Sequence, residues 1–151
     1  DHNRDKFLPL MKKFNNNKKI FLDRSSSKYN HCQIKNNDEI IKLLLKKGFT
    51  SYKVEELSIE EQIYLFNEAS TIIGAHGAAF TNIIFCKPST KIIELIPKTH
   101  PSKKCERLSK ILNLNYFKIE TENNSGDENF PYRISLEERD LKKIVDAIDL
   151  Y

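Results

Sequence analysis

Two short segments are rich in groups suited to holding an anion. The first, Asp23-Arg24-Ser25-Ser26-Ser27-Lys28-Tyr29, sets two cations and three hydroxyls directly after an apolar stretch. Arg24 can donate two parallel hydrogen bonds to phosphate oxygens, Ser25 another, and Lys28 brings a compact counter-charge. A polar surface loop with one Arg–Asp pair would use the same residue types. The second segment, Gly74-Ala75-His76-Gly77-Ala78-Ala79, runs on to Thr81 and Asn82. Its glycines permit a sharp turn and a close approach of ligand to backbone. It matches the two ends of a G-x-G-x-x-A dinucleotide fingerprint, but His76 stands at the middle glycine, where a bulky side chain hinders a pyrophosphate. The unit also follows the third strand rather than the first, so a conventional NAD site is disfavoured. His76 fits a donor aimed at a ligand, and equally a loop histidine satisfied by a structural hydrogen bond. Glu94 lies twenty positions beyond Gly74, inside an apolar run. There it suits contact with both hydroxyls of a ribose, or an edge carboxylate paired with Lys91 or Lys98. Glu55, Glu56 and Glu68 have no forced partner, and no residue is assigned as a catalytic base.

The elements that must position these residues follow from periodicity and capping. Strand-length apolar runs are expected over Lys19 to Asp23, Ser51 to Glu55, Thr71 to Ile73, Lys91 to Ile96 and Asn115 to Glu120. A helix is expected over Asn37 to Lys47, with Asn37 as N-cap, Asp38 and Glu39 in its first turn and Gly48 ending it. Ser58 and Glu61 have capping-box spacing, and Ile59, Ile63, Phe66 and Ala69 then recur on one helical face. A short helix is expected over Ala78 to Phe85 and another over Ser102 to Leu112. Asn123 to Asn129 reads as a loop, and a last helix, Ser135 to Ile148, has Ser135 and Glu138 at capping-box spacing. Strands alternating with helices predict an α/β fold with a doubly wound, mostly parallel sheet of about five strands. Ligands of such sheets sit outside the carboxyl ends of the strands, where both segments fall.

Composition narrows the class. A chain of 151 residues suits one domain, 1–151, with 1–17 as a lead-in, and no run approaches the about 20 apolar residues of a membrane span. The net charge of +4 is mild for a nucleic-acid partner and suits a small anionic ligand. The clusters Lys12, Lys13, Lys18, Lys19 and Lys103, Lys104, Arg107 are expected to be solvated faces. Cys32, Cys86 and Cys105 are an odd count without metal-type spacing, which favours free, partly buried thiols over a disulfide framework or a zinc site.

Taken together, Asp23-Arg24-Ser25, Asn37-Asp38-Glu39, the Leu57-Ser58-Ile59-Glu60-Glu61-Gln62 helix start, Gly74-Ala75-His76-Gly77-Ala78-Ala79-Phe80-Thr81-Asn82 and Glu94-Leu95-Ile96 resemble the C-terminal domain of glycosyltransferase family 61 (DUF563-like). The resemblance covers about Lys19 to Pro97. It implies the C-terminal, donor-binding half of a GT-B glycosyltransferase, with the N-terminal acceptor-side domain expected to be absent from this chain. It further implies a nucleotide-sugar donor, foremost a UDP-sugar, and inverting transfer to a glycan or protein hydroxyl, with no cofactor and no metal. By that resemblance Arg24, Ser25 and Lys28 hold the diphosphate, His76 and Gly77 line the donor pocket, Asn82 fixes the loop or touches the ligand, and Glu94 meets the ribose. Asp23 replaces a serine of the family pattern, and its usual basic pair is thinned to Lys28, His31 and Lys35, which implies weaker phosphate binding. The alternatives are a non-catalytic nucleotide-binding or scaffold module of transferase descent, or a Rossmann-like enzyme using NAD or S-adenosylmethionine. The expected location is cytoplasmic; the sequon Asn123-Asn124-Ser125 would matter in an ER or Golgi lumen.

Overall fold

The computed structural model describes residues 17–26, 31–122 and 132–150. Five strands form one sheet: β1 (Lys18–Leu22), β2 (Phe49–Tyr52), β3 (Ala69–Ala75), β4 (Lys91–Pro97) and β5 (Asn115–Thr121). Every pairing is parallel and the spatial order is β2-β1-β3-β4-β5. Among the described residues the α-helices are α1 (Asn37–Lys46), α2 (Ile59–Glu68), α3 (Lys104–Ile111) and α4 (Glu138–Asp149). The expected Rossmann-like α/β fold is therefore present. No helix among the described residues is long and apolar enough to cross a membrane.

Strand side chains alternate between two cores, as a sheet covered on both faces requires. Ile20, Leu22, Ile72 and Ile92 pack with Ile63 and Phe66 of α2 and Cys105 of α3. Phe21, Ile73, Ile93 and Leu95 point the other way, onto Ile40 and Leu44 of α1 and Ile144 and Ala147 of α4. Each isoleucine, leucine and phenylalanine among them contributes roughly 1.5–3 kcal/mol by leaving water. Because the chain leaves β1 toward β2 on one side and returns as β3 on the other, the connections after β1 and β3 diverge. The crevice between their carboxyl ends is the switch point where open parallel sheets bind ligands.

Several boundaries differ from expectation for local reasons. The second strand starts earlier, at Phe49, because Gly48 breaks α1 at φ +83° and Phe49 is already buried. It also ends earlier, since Val54–Glu56 curls into a 3-10 turn that buries Val54. Residues 69 and 70, expected at the end of α2 and in its exit, belong to β3. The segment Ala78–Phe85 is helical but of the 3-10 type. The helix starting near Ser102 begins at Lys104, and Ser102 Oγ accepts from the Lys104 amide at 3.3 Å. Ser58 and Glu61 form the expected reciprocal capping box on α2. Asn37 does not cap α1: the N-cap is Asn36, and its side chain bonds instead to both backbone groups of Leu136 at 2.9 and 3.0 Å. Tertiary contact has displaced local capping there. The last helix is capped by Glu137 with Asp140, two residues beyond the expected Ser135. The expected loop at Asn123 to Asn129 lies outside the described residues.

Candidate functional site

The β1/β3 switch point brings the two chemistry-bearing segments into contact. His76 is held just past the end of β3 by its amide, which donates to the Leu95 carbonyl at 2.8 Å and so extends the β3–β4 ladder by one step. Arg24, two residues past β1, donates from Nη1 to the His76 carbonyl. Its guanidinium lies against Gly77, where a Cβ would stand 2.2 Å from Nη1 and 2.5 Å from Cζ. Gly77 is thus required by proximity, with an extended backbone at φ 168°. Gly74 is required for a different reason. Opposite Leu22 in the ladder, it lets β1 and β3 close up where a Cβ would come within 2.9 Å of Leu22 Cβ.

These residues open onto a cleft of about 410 Å³ whose walls include Arg24, His31, His76, Gly77, Thr81 and Lys104. That volume is in the range of small-molecule sites, about 300–1,000 Å³. Burial holds Arg24 below the usual guanidinium range, in part against the pull of Cys32 and Glu55. It remains a cation, and its partial dehydration strengthens its attraction for an anion. Ser25 faces a smaller neighbouring recess of about 190 Å³, with Gln33, Lys35 and Asn37, so Arg24 forms the wall between the two spaces. Asp23 does not pair with Arg24: its Oδ1 accepts from the Ser25 amide at 2.9 Å and from Asn37 Nδ2 at 3.1 Å, which shapes the turn and occupies its charge locally. Lys28 lies outside the described residues. Asn82 donates to Gln62 Oε1 at 2.8 Å, and Gln62 in turn donates to the Val54 and Leu57 carbonyls. Asn82 therefore fixes the 3-10 segment to α2.

Glu94 departs most from expectation. It sits mid-strand in β4, opposite Gly74 and Lys118, and is 2% exposed. Oε1 accepts from His76 Nδ1 at 2.5 Å and Oε2 from the Tyr116 hydroxyl at 2.5 Å. With both oxygens engaged beneath the cleft floor, Glu94 is a partner of His76 and is not placed for ribose contact. Nor does it pair with Lys91 or Lys98, whose ammonium groups reach the Ala147 and Ile148 carbonyls and Glu122. Burial, then the hydrogen bond to Glu94, drives the Tyr116 phenol far up, so it stays a donor.

Beside His76 lies a second group that spacing did not reveal. His31 Nε2 is 3.0 Å from His100 Nε2, and the His76 and His100 rings are 4.3 Å apart. The Ser102 amide donates to His100 Nδ1 at 3.2 Å. A backbone N–H can only donate, so neutral His100 carries its proton on Nε2 and passes it toward His31. Burial, then repulsion from Arg24 and His76, holds His31 below the usual imidazole range; burial, then His76 and His31, does the same for His100. Cys32 completes a trio with these histidines, its sulfur and their ring nitrogens within 4.8 Å of one another. The residue types suit a soft divalent ion, but ligation through His100 Nε2 would require breaking the Ser102 hydrogen bond. Burial pushes the Cys32 thiol up to about 12. Cys32, Cys86 and Cys105 are all buried, more than expected. Lys104 is exposed, as expected of a solvated face, and also lines the cleft. His100, Lys104 and Tyr116 carry no motif, and only the path of the loop after β4 and the placement of α3 and β5 beside that strand bring them in.

The sequence profile of glycosyltransferase family 61 matches residues 3–93, well over half the chain. The chain belongs to this family. Within family 61, a β-1,2-xylosyltransferase of Oryza sativa subsp. japonica, RCN11, is 42% identical over 40 residues, 26% of this chain and 8% of the relative. A β-1,2-xylosyltransferase of Arabidopsis thaliana is 32% identical over 71 residues, 47% of this chain and 13% of the relative. The matches thus span a small part of those proteins. The family match includes Arg24, His76 and Asn82 and ends one residue before Glu94.

Proposed function

We propose that this family 61 domain binds the nucleotide-sugar donor of a glycosyltransferase, a UDP-sugar foremost, as the C-terminal half of a GT-B arrangement. The diphosphate would lie in the cleft between Arg24 and His76, for inverting, metal-independent transfer to a glycan or protein hydroxyl. One observation carries this reading: the guanidinium of Arg24 and the ring of His76, 52 residues apart in sequence, wall one cleft at the β1/β3 switch point, with Gly77 removed from their path. Displacement at the anomeric carbon builds charge on the departing diphosphate. Fixed cations and N–H donors stabilise that charge more than they stabilise the bound donor. Arg24 and His76 supply the donors, with Lys104 at the mouth. The base for the acceptor hydroxyl would come from a facing domain. The names of the plant relatives make a xylose-bearing donor the first to try.

Calorimetric titration with UDP, NAD and S-adenosylmethionine tests this. Saturable UDP binding that Arg24→Ala weakens is the expected result. Preference for NAD or S-adenosylmethionine overturns it, and UDP binding without sugar transfer by the full-length protein would mark a module that has lost catalysis.

A further inference from the structure

Beneath the cleft lies a buried carboxylate, engaged at both oxygens, whose partner is the histidine of the cleft. We propose that Glu94 and Tyr116 are positioning residues that keep a proton on His76 Nδ1, so that Nε2 faces the cleft and takes up a second proton when a diphosphate binds. This rests on the donor-site reading above and specifies its chemistry.

The geometry is directional. Tyr116 donates to Glu94 Oε2 at 2.5 Å, which leaves Oε1 to accept from His76 Nδ1, also at 2.5 Å. A carboxylate has only lone pairs to offer, so the Nδ1 proton and the tautomer are set. In neutral His76, Nε2 then bears a lone pair, which repels phosphate oxygens. Proton uptake from solvent turns Nε2 into a donor toward them. The groups facing His76 oppose a charge on the empty site: Arg24 and His31 from the loop after β1, His100 from the loop after β4, and Lys104 from α3. Glu94 from β4 favours that charge, while Tyr116 from β5 and Cys105 from α3 are held neutral by burial. An anion with two or three charges in the cleft tips the balance, and Glu94 shares the cation so formed. The proton returns to solvent when the diphosphate leaves.

Two measurements on the whole chain decide the matter. Long-range proton–nitrogen NMR of the ligand-free protein should show His76 protonated at Nδ1; a proton on Nε2 alone overturns the relay whatever happens with UDP. Calorimetry with UDP at about pH 8, where the terminal phosphate is fully ionised, in two buffers of different ionisation enthalpy, should show uptake approaching one proton per UDP. Affinity should then fall about tenfold per pH unit as pH rises. Glu94→Gln should retain weaker UDP binding and lose both the uptake and the slope, and Glu94→Asp should restore part of each. The uptake should persist in His31→Gln. Equal slopes in wild type and Glu94→Gln, or uptake lost with His31→Gln, overturn the inference while leaving the donor site intact. No saturable UDP binding by the wild type removes the donor site itself. Tyr116→Phe, which drops one hydrogen bond, provides a milder variant should Glu94→Gln not fold, and a pH slope unchanged in it counts against the relay.

Discussion

Two buried carboxylates with similar partners flank the sheet from different elements, Glu68 as the last residue of α2 and Glu94 within β4, and only Glu94 has a partner that lines the cleft. At the amino ends of the strands, Glu68, 6% exposed, pairs with Lys18 at 2.5 Å, and Lys18 also lies over the Tyr64 ring at 4.9 Å. Within β4, Glu94 pairs with His76 and Tyr116. Burial alone would push the Glu68 carboxyl up, but the hydrogen bonds from Lys18 and Tyr64 outweigh it and hold Glu68 below the usual carboxylate range. Its cation is a lysine, charged at any ordinary pH, so the group can only stabilise. Glu94 faces an imidazole, which can carry one proton or two, at the place where diverging connections leave room for a ligand. The same acid–cation–phenol chemistry is a clamp at one end of a parallel sheet and a proton-handling device at the other, and strand polarity makes the difference.

The sharpest way to break this comparison is Gly77→Ala. Its Cβ would collide with the end of a flexible Arg24 side chain, so the guanidinium should swing away and the fold survive. UDP affinity is expected to drop on the order of 10- to 100-fold, as in Arg24→Ala, with a melting temperature within a few degrees of wild type. Undiminished binding would detach Arg24 from the ligand. Gly74→Ala should do the reverse: its Cβ would meet Leu22 where the strands are fixed, costing about 1–3 kcal/mol in urea unfolding. At the closed end, Glu68→Gln should cost about 1 kcal/mol, because Lys18 is 44% exposed and solvent screens the pair. It should leave UDP titrations unchanged; a shifted affinity would show that the two ends are coupled. The smallest effect concerns acid. The fold lowers the pKa of His31 and His100, so it binds fewer protons than the unfolded chain. Their neutral pair stabilises fully above about pH 6.5 and loses that contribution as pH falls below it toward the lowered folded values. Melting temperature should drift down by about a few degrees between pH 7 and 5.5, and His31→Gln with His100→Gln should flatten that drift.

Much of the fold was legible because its signals are local. The capping box at Ser58 and Glu61, the break at Gly48 and the apolar period of β3 and β4 each act within one or two turns of chain. Legibility ended where a side chain had a distant use. Asn37 looks like a cap, yet its side chain donates to Asp23, while Asn36, at the N-cap position, holds Leu136. The Glu137–Asp140 cap replaced the expected Ser135 one in a segment that Asn36 already ties down through Leu136. Glu94 resembled a ribose contact because its spacing from Gly74 suited one. That spacing counts residues, and it says nothing about where β4 lies or which face the side chain takes.

By itself, then, the amino-acid sequence determined the order of strands and helices and the two loops whose residue types suit an anion, since hydrogen-bond period, backbone freedom and charge are properties of neighbouring residues. Tertiary structure alone decided that Arg24 crosses Gly77 to reach His76, that Glu94 and Tyr116 lie beneath that ring, and that His31 and His100 hydrogen-bond beside it. Those contacts depend on the strand order β2-β1-β3-β4-β5 and on register. Both are set by which apolar faces fill the two cores together, a global condition that no short stretch of chain contains.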